Sequence, residues 1–215
     1  MIDLYCERLG PGLRAEPINA FTNLAFVVAG FAAWRLAVQR NSISTGTILL
    51  IALMVAIGVG SGLFHTFATG WARVLDIMPI LLFQLVYLCV YGVLIARMRI
   101  SHLTGLVILF LLAAYLGRQF PDVLNGSLIY LPAFVLLFGL GLYHYRHVKV
   151  EPALLLWATV VFSVSLFFRT IDLDICKFVP IGTHFLWHLL NGVLVYLAYR
   201  GLLMNLENTS KRTVR

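Results

Sequence analysis

Seven long apolar stretches, separated by short polar segments, dominate the pattern of the chain. Each has about the 17–25 residues that an α-helix needs to cross the hydrocarbon core of a bilayer. The prolines and glycines inside them are compatible with membrane helices, because neighbouring groups can satisfy the freed backbone atoms. The predicted spans are residues 17–38, 45–66, 76–96, 101–117, 124–143, 152–168 and 179–200.

The composition supports this interpretation. Hydrophobic residues make up 61% of the 215 residues and charged residues only 12%. A soluble domain of this size could not cover so much apolar surface with so little polar surface. We therefore predict an all-α integral membrane protein, a seven-helix bundle in which residues 1–215 form one domain. Residues 1–18 are expected to form an outer tail, and residues 201–215 a tail on the cytoplasmic side.

The basic residues predict the orientation of the bundle and exclude one class of partner. Lys and Arg number six on the N-terminal face and ten on the opposite face. Since cytoplasmic loops are enriched in these residues, the C-terminus is predicted to be cytoplasmic and the N-terminus outside. The net charge of +7 does not indicate nucleic acid as a partner, because the basic residues stand singly or in pairs between apolar runs.

Acidic residues and cysteines add two expectations about the outer face. Seven of the nine Asp and Glu residues fall on the N-terminal face, which fits either a cation-binding surface or a solvated acidic rim. Cys6 and Cys176 lie on the same face, where an oxidising compartment would let them pair. Two unpaired thiols are the alternative.

Two histidines stand four residues apart in the last apolar stretch. His184 and His188 lie in a segment, residues 178–199, that contains no Lys, Arg, Asp or Glu. Residues four apart share a helix face, so both imidazoles are expected to point the same way. A span that begins at residue 179 would place them about 8–9 Å and about 15 Å into the helix.

Further polar groups are predicted to lie at a similar depth. His65 is near the outer end of the second span, Ser61 is one turn before it, and Asp76 opens the third span on the same face. Ionisable groups inside a membrane usually face the bundle interior and have a functional partner. Three neutral imidazoles with an open fourth position form the ligand set of a catalytic zinc ion. Hydrogen-bonded core histidines are the alternative.

The other three histidines are expected to be structural. His102, His144 and His147 stand at span ends, next to basic loops. We therefore predict that they lie at the membrane interface.

Several short motifs resemble one known family. The segments SGLFH (61–65), LDIMP (75–79) and THFLWH (183–188) resemble the Ser-x3-His, Asp and His-x3-His motifs of the alkaline ceramidase family. That family belongs to a wider group of seven-helix membrane hydrolases that includes the adiponectin-type receptors. The N-terminal YCE (5–7) and EPINAFTN (16–23) are similar to the ceramidase branch. The short, compact chain is most similar to bacterial members, which implies a bacterial inner membrane.

The resemblance implies roles for the residues that match its motifs. His65, His184 and His188 would bind zinc, and Asp76 would act on the water at the metal. Ser61 would either donate a hydrogen bond to the developing oxyanion or orient a neighbouring side chain.

The resemblance also implies a calcium site in the N-terminal tail. Glu7, Glu16 and Asn19 stand at matching places. The acidic residue that precedes the Cys-Glu motif in the family is displaced here, because Leu4 occupies its place and Asp3 is one position further back. Carboxylates that are merely solvated are the alternative.

The favoured function is a hydrolase of amide C–N bonds, a zinc-dependent intramembrane lipid amidase. Its substrate would be ceramide or a related N-acyl lipid, cleaved to a fatty acid and a free amine. The alternatives are a seven-helix receptor or sensor that keeps zinc without turnover, and a transporter that uses the histidines as a proton relay. Asp76 and Ser61 favour the amidase, because a purely structural zinc site would be closed by a fourth protein ligand.

Overall fold

The computed structural model describes residues 2–8, 10 and 12–213, with residues 207–213 as backbone. Within this part of the chain the regular structure is helical and contains no strand. Seven helical segments are long and apolar enough to cross a membrane, so the all-α, seven-helix class is confirmed and the chain is a multi-pass membrane protein. These segments are Pro17–Gln39, Thr45–Phe67, Gly70–Ile95, Ile100–Arg118, Val123–Arg146, Leu154–Ile171 and His184–Leu206.

Eight α-helices build these segments. They are α1 (Pro17–Thr22), α2 (Leu24–Gln39), α3 (Thr45–Phe67), α4 (Gly70–Val90), α5 (Ile100–Arg118), α6 (Leu131–Arg146), α7 (Leu154–Ile171) and α8 (His184–Thr213). The first span consists of α1 and α2, which meet at Asn23. A π-helical turn, Tyr91–Ile95, extends α4, and a 3-10 segment, Val123–Tyr130, precedes α6.

The helix α8 lies at the centre of the bundle and packs against α2 and α7, while α3 packs between α2 and α4. Its span is the most buried of the seven, and α5 is the least buried, with most of its side chains facing outward. In a membrane these outward apolar side chains contact lipid. A polar side chain on the inner face of α8 is therefore screened from both lipid and bulk water, which is the environment that the histidines occupy.

Two of the helices that carry site residues, α4 and α8, begin several residues away from the predicted start. The third span starts at Gly70, so Asp76 lies inside α4 instead of opening it. Arg73 had suggested a later start, but it is exposed in the first turn, and a long cationic side chain can extend to the interface. The last helix begins at His184, five residues after the predicted start, because the apolar residues before Gly182 form turns.

A glycine brings α3 and α4 close together beside the predicted site. A Cβ atom on Gly60 would overlap the carbonyl group of Leu75. Only glycine lets the two backbones approach this closely. The approach places Ser61, the next residue of α3, beside Asp76, the next residue of α4.

His144 has a different environment from the one expected for a residue at a span end. This side chain is fully buried, and its Nδ1 and the hydroxyl of Tyr91 lie 2.8 Å apart in a hydrogen bond. Its other ring nitrogen hydrogen-bonds the carbonyl oxygen of Val150 at 3.0 Å. The loop after α6 folds back over the helix end and covers the ring. His102 and His147 are exposed, as expected at an interface.

A disulfide bond joins Cys6 to Cys176. It links the N-terminal tail to the loop before α8, two segments that are 170 residues apart in the sequence. The third cysteine, Cys89, is exposed on the bundle surface. The tail is thereby fastened over the end of α3 and the start of α8.

We expect the disulfide to stabilise the fold measurably. The double variant Cys6→Ser/Cys176→Ser should unfold at a lower temperature than the wild type, because a disulfide typically contributes about 2–4 kcal/mol. A reductant should lower the Tm of the wild type and leave the double variant unchanged. Cys89→Ser is the matched control and should keep the wild-type response. A wild-type Tm that is insensitive to reductant would contradict the prediction.

Candidate metal centre

Three histidines from two helices meet below the N-terminal tail. His65 lies in the last turn of α3, and His184 and His188 lie in the first two turns of α8. All three side chains are at most 2% exposed. One ring nitrogen from each lies within 4.8 Å of the others, a spacing that can hold a metal ion. Among the described residues, this is the cluster of His, Cys, Asp and Glu with such a spacing.

Hydrogen bonds outside the cluster orient two of the rings. The Nδ1 of His65 hydrogen-bonds a carboxylate oxygen of Glu16. The Nδ1 of His188 lies 3.0 Å from the hydroxyl oxygen of Thr22, at the end of α1. That hydroxyl donates its proton to the carbonyl oxygen of Ile18 at 2.8 Å, so its oxygen accepts from His188. Partners of this kind fix the tautomer and the orientation of metal-binding histidines.

Glu16 is ionised in this position. Burial by itself opposes its ionisation, but hydrogen bonds with His65 and Arg8 lower the pKa of Glu16 below its usual value. A carboxylate can only accept, so the Nδ1 of His65 carries a proton and donates it. In their neutral forms, which are the forms that bind a metal, the rings of His65 and His188 both present an unprotonated Nε2.

These two Nε2 atoms face each other at 3.1 Å. Two nitrogen lone pairs repel at this distance unless a metal ion or a shared proton lies between them. The third ring, that of His184, has a buried Nδ1 without a hydrogen bond among the described residues. Three nitrogen donors that converge in this way fit a metal ion such as Zn²⁺ better than a single proton.

Aromatic packing holds the third histidine. The ring of Tyr5 stacks on the ring of His184, with centroids 3.6 Å apart and planes 18° from parallel. Burial raises the pKa of the Tyr5 hydroxyl, so the phenol stays neutral. On the inner side, Trp187 is buried one turn below His184. The N-terminal tail therefore contributes a wall of the site.

Asp172 fixes the start of α8. Its buried carboxylate accepts hydrogen bonds from the backbone N–H groups of Thr183 at 2.6 Å and His184 at 2.8 Å. It also accepts from the N–H of Cys6 at 3.1 Å. Gly182 has a φ of +65°, and a Cβ there would overlap this carboxylate. The side chain of Asp172 thus holds the start of α8, the N-terminal tail and the loop that joins α7 to α8 together.

Asp76 and Ser61 lie next to each other beside the cluster. Ser61 is buried in α3, and its hydroxyl interacts with the carboxylate of Asp76. Asp76 is half-buried in α4, and its charge interacts with His65. All five residues expected in the zinc site are therefore brought together by α3, α4 and α8.

The residues expected to bind calcium are only partly brought together. Glu7 is buried, and its carboxylate accepts hydrogen bonds from the N–H groups of Ile18 at 2.6 Å and Asn19 at 2.8 Å, which starts α1. The side chain of Asn19 donates to Glu16 at 3.2 Å. Asp3 is exposed and has no hydrogen bond or ion pair to this group in the described part of the chain.

Arg8 supplies a positive charge within this group. It is buried, forms an ion pair with Glu16, and donates a hydrogen bond to the carbonyl oxygen of His65 at 2.8 Å. Calcium takes six to eight oxygen ligands. The side-chain oxygen of Asn19 is buried without a hydrogen bond, but the carboxylate oxygens of Glu7 and Glu16 already have protein partners. The residues present therefore do not form a fitting calcium site.

Sequence reasoning missed four residues that support the cluster. Thr22, Arg8, Asp172 and Tyr5 lie far from the histidines in the sequence, and no local spacing links them to the HFLWH segment. Two weak signals were available. The first is the acidic Asp172, which stands in the loop before the final apolar stretch. The second is Arg8, an arginine directly after Cys6 and Glu7.

We expect the Asp172→Asn variant to be less stable than the wild type. Loss of the charge weakens three buried hydrogen bonds, and leaving such groups poorly satisfied costs about 1–3 kcal/mol each. The Tm should fall by several degrees, as measured by intrinsic fluorescence in detergent. Asp174→Asn removes an exposed carboxylate two residues away and should leave the Tm close to that of the wild type. Equal Tm values for both variants would contradict the role of Asp172.

One known protein family matches almost the whole chain. A model of one family, described as Ceramidase, matches residues 11–213, from the N-terminal tail to the end of α8. No curated protein matches the chain significantly. The match covers nearly the full length, including the helices that carry the three histidines, Asp76 and Ser61. The chain belongs to the ceramidase family.

Proposed function

We propose that the chain is a zinc-dependent intramembrane amidase that hydrolyses ceramide or a related N-acyl lipid to a fatty acid and a free amine. Membership of the ceramidase family accounts for the general part of this statement, a membrane hydrolase that acts on a lipid amide bond. The observation that supports zinc is the pair of facing Nε2 atoms of His65 and His188, 3.1 Å apart, with His184 close by.

The residues around the cluster suit amide hydrolysis. When bound, zinc lowers the pKa of water to about 7 and polarises a carbonyl group. Asp76 is the carboxylate best placed to accept a proton from the attacking water and to return it to the nitrogen of the leaving amine. Ser61 interacts with Asp76, which supports a positioning role for its hydroxyl in the resting site. His65, His184 and His188 hold the metal.

An apolar cavity lies inside the bundle, and Trp187, the residue before His188, is part of its lining. Trp187, Asn191, Leu194 and Ala198 line it along one face of α8. These residues extend over about 16 Å of the helix, at 1.5 Å per residue. The opposite wall comes mainly from α4 and α6. Such a cavity suits an acyl chain whose amide lies at the histidines, so the substrate need not leave the membrane.

We further propose that the site opens on the outer face, with the N-terminus outside and the C-terminus cytoplasmic. The disulfide between Cys6 and Cys176 supports this orientation, because disulfides persist in oxidising compartments. Calcium binding by the tail stays a prediction of the resemblance. It is not included in the proposal, since Arg8 already pairs with Glu16.

The first test is metal content. Purified wild-type protein should contain about one zinc ion per chain, and His65→Ala and His188→Ala should each lose most of it, because a catalytic site has only three protein ligands. Inductively coupled plasma mass spectrometry measures the ratio. His147→Ala, an exposed histidine on the opposite face, is the control and should keep the metal. Zinc retained in both cluster variants would overturn the metal assignment.

The second test is hydrolysis. Wild-type protein should release fatty acid from ceramides or other N-acyl lipids, as followed by mass spectrometry. Asp76→Asn should lower kcat by about 10²–10⁴-fold, because a general base typically contributes this much. Asp122→Asn, an exposed carboxylate expected on the same face, should retain activity.

The outcomes separate the competing functions. Equal turnover by Asp76→Asn and wild type would overturn the role of Asp76. Folded, zinc-loaded protein that hydrolyses none of the lipids would favour a receptor or sensor.

A further inference from the structure

Arg169 lies in the last turn of α7, at the boundary between the histidine cluster and the apolar cavity. Its Nη1 donates hydrogen bonds to the carbonyl oxygen of Asn125 at 3.0 Å and to the hydroxyl of Ser127 at 2.7 Å. The guanidinium lies over two aromatic rings, with its central carbon 5.1 Å from the centroid of Tyr130 and 5.8 Å from that of Trp187. Neither contact neutralises its charge.

No carboxylate lies within ion-pair distance of Arg169 among the described residues. The two acidic residues that follow it in the chain have other partners. Asp172 accepts from backbone N–H groups, and Asp174 accepts from the side chain of Asn125 at 3.2 Å. The Nε of Arg169 is buried without a hydrogen bond. A buried donor without a partner is costly, and so is a buried charge whose interaction with Asp76 is not a direct ion pair, so both indicate a partner that is bound only at times.

The position of Arg169 connects it to the proposed reaction site. Tyr130 and Trp187, whose rings lie under the guanidinium, also line the apolar cavity. The charge of Arg169 interacts with Asp76 and with His184. A lipid whose chain fills the cavity and whose amide lies at the histidines would therefore place its polar end near Arg169.

The chemistry of a guanidinium limits what that polar end is. Arginine presents its N–H donors as a planar fork that matches the oxygens of a carboxylate or a phosphate. Arg73 adds a second positive charge at the same end of the bundle, exposed in the first turn of α4. A neutral hydroxylated lipid would give Arg169 no direct ion pair.

We propose that Arg169 binds an anionic group of the substrate, so that the preferred substrate is an N-acyl lipid with a carboxylate or a phosphate near its amide. This inference rests on the proposed amidase function and narrows its substrate class. Arg169 is a specificity-determining residue in this proposal, and the histidines and Asp76 keep their roles. The carboxylate and the phosphate share the same recognition chemistry.

The test compares three amides with one acyl chain. N-dodecanoyl ethanolamine is neutral, its phosphate ester carries a phosphate, and N-dodecanoyl glycine carries a carboxylate. We expect the wild type to have a kcat/KM at least about tenfold higher for one of the anionic amides than for the neutral amide, which corresponds to about 1.4 kcal/mol. The anion that gives the higher value identifies the headgroup.

Variants of Arg169 make the test specific. Arg169→Gln should abolish the preference, because kcat/KM should fall at least about tenfold more for the preferred anionic amide than for the neutral amide, a difference of about 1.4 kcal/mol. Arg169→Lys keeps the charge and should retain part of the preference. Arg118→Gln removes an exposed arginine from the same end of the bundle and should behave as the wild type. A Tm measurement on each variant verifies folding.

Two results would overturn the proposal. One is a wild type without preference for either anionic amide. The other is an Arg169→Gln variant in which kcat/KM falls equally for all three, since that indicates a general positioning role.

A binding measurement decides the case if none of the amides is hydrolysed. Isothermal titration calorimetry with dodecanoate, dodecyl phosphate and dodecanol needs no turnover. Tighter binding of an anionic amphiphile, lost in Arg169→Gln, would support the anion site even if the amidase function failed. Equal binding of all three by the wild type, or a preference that survives in Arg169→Gln, would refute it.

Discussion

Two imidazole nitrogens that both carry lone pairs cannot remain 3.1 Å apart without a cation, and this constraint organises the site. The rings of His65 and His188 are held in this arrangement from outside, by the carboxylate of Glu16 and the hydroxyl of Thr22. Both partners belong to the N-terminal region and neither is in the helices that carry the histidines. The electrostatic conflict inside the bundle is thus set by the segment that lies over it, and a bound metal ion would resolve it.

Hydrogen bonds hold the N-terminal tail against the bundle. Glu7 starts α1, Arg8 joins Glu16 to the end of α3, and Asp172 ties the backbone of Cys6 to the first residue of α8. These contacts connect the tail with both helices that contribute histidines. In a sequence comparison, a short tail with acidic residues indicates a cation site. In this chain Glu7 instead holds the start of α1, and Glu16 pairs with Arg8.

Hydropathy and spacing were sufficient for the seven spans and for the meeting of Ser61, His65, Asp76, His184 and His188. The spans follow from the length of the apolar stretches, and the site follows from the positions of polar residues along them. A sequence shows both directly. The start of α8 was misplaced because residues 179–181 are apolar and a hydropathy pattern does not register the turn before Gly182. Asp172, Thr22 and Arg169 could not be assigned, since their roles depend on contacts between residues more than ten positions apart in the chain. His144 was judged by its position at a helix end, whereas the loop that covers it decides its burial.

The wall that α6 gives to the apolar cavity has a separate significance. Ala133, Leu136, Leu137 and Leu140 line the cavity from this helix, while the residues assigned to the chemistry lie on α3, α4 and α8. Under the proposed function, α6 is thus a wall of the lipid cavity that carries none of the residues proposed for the reaction. Substitutions on α6 can change the size of the cavity one methyl group at a time without moving a histidine. Such an arrangement lets the range of lipids diverge between related proteins while the reaction itself is inherited unchanged.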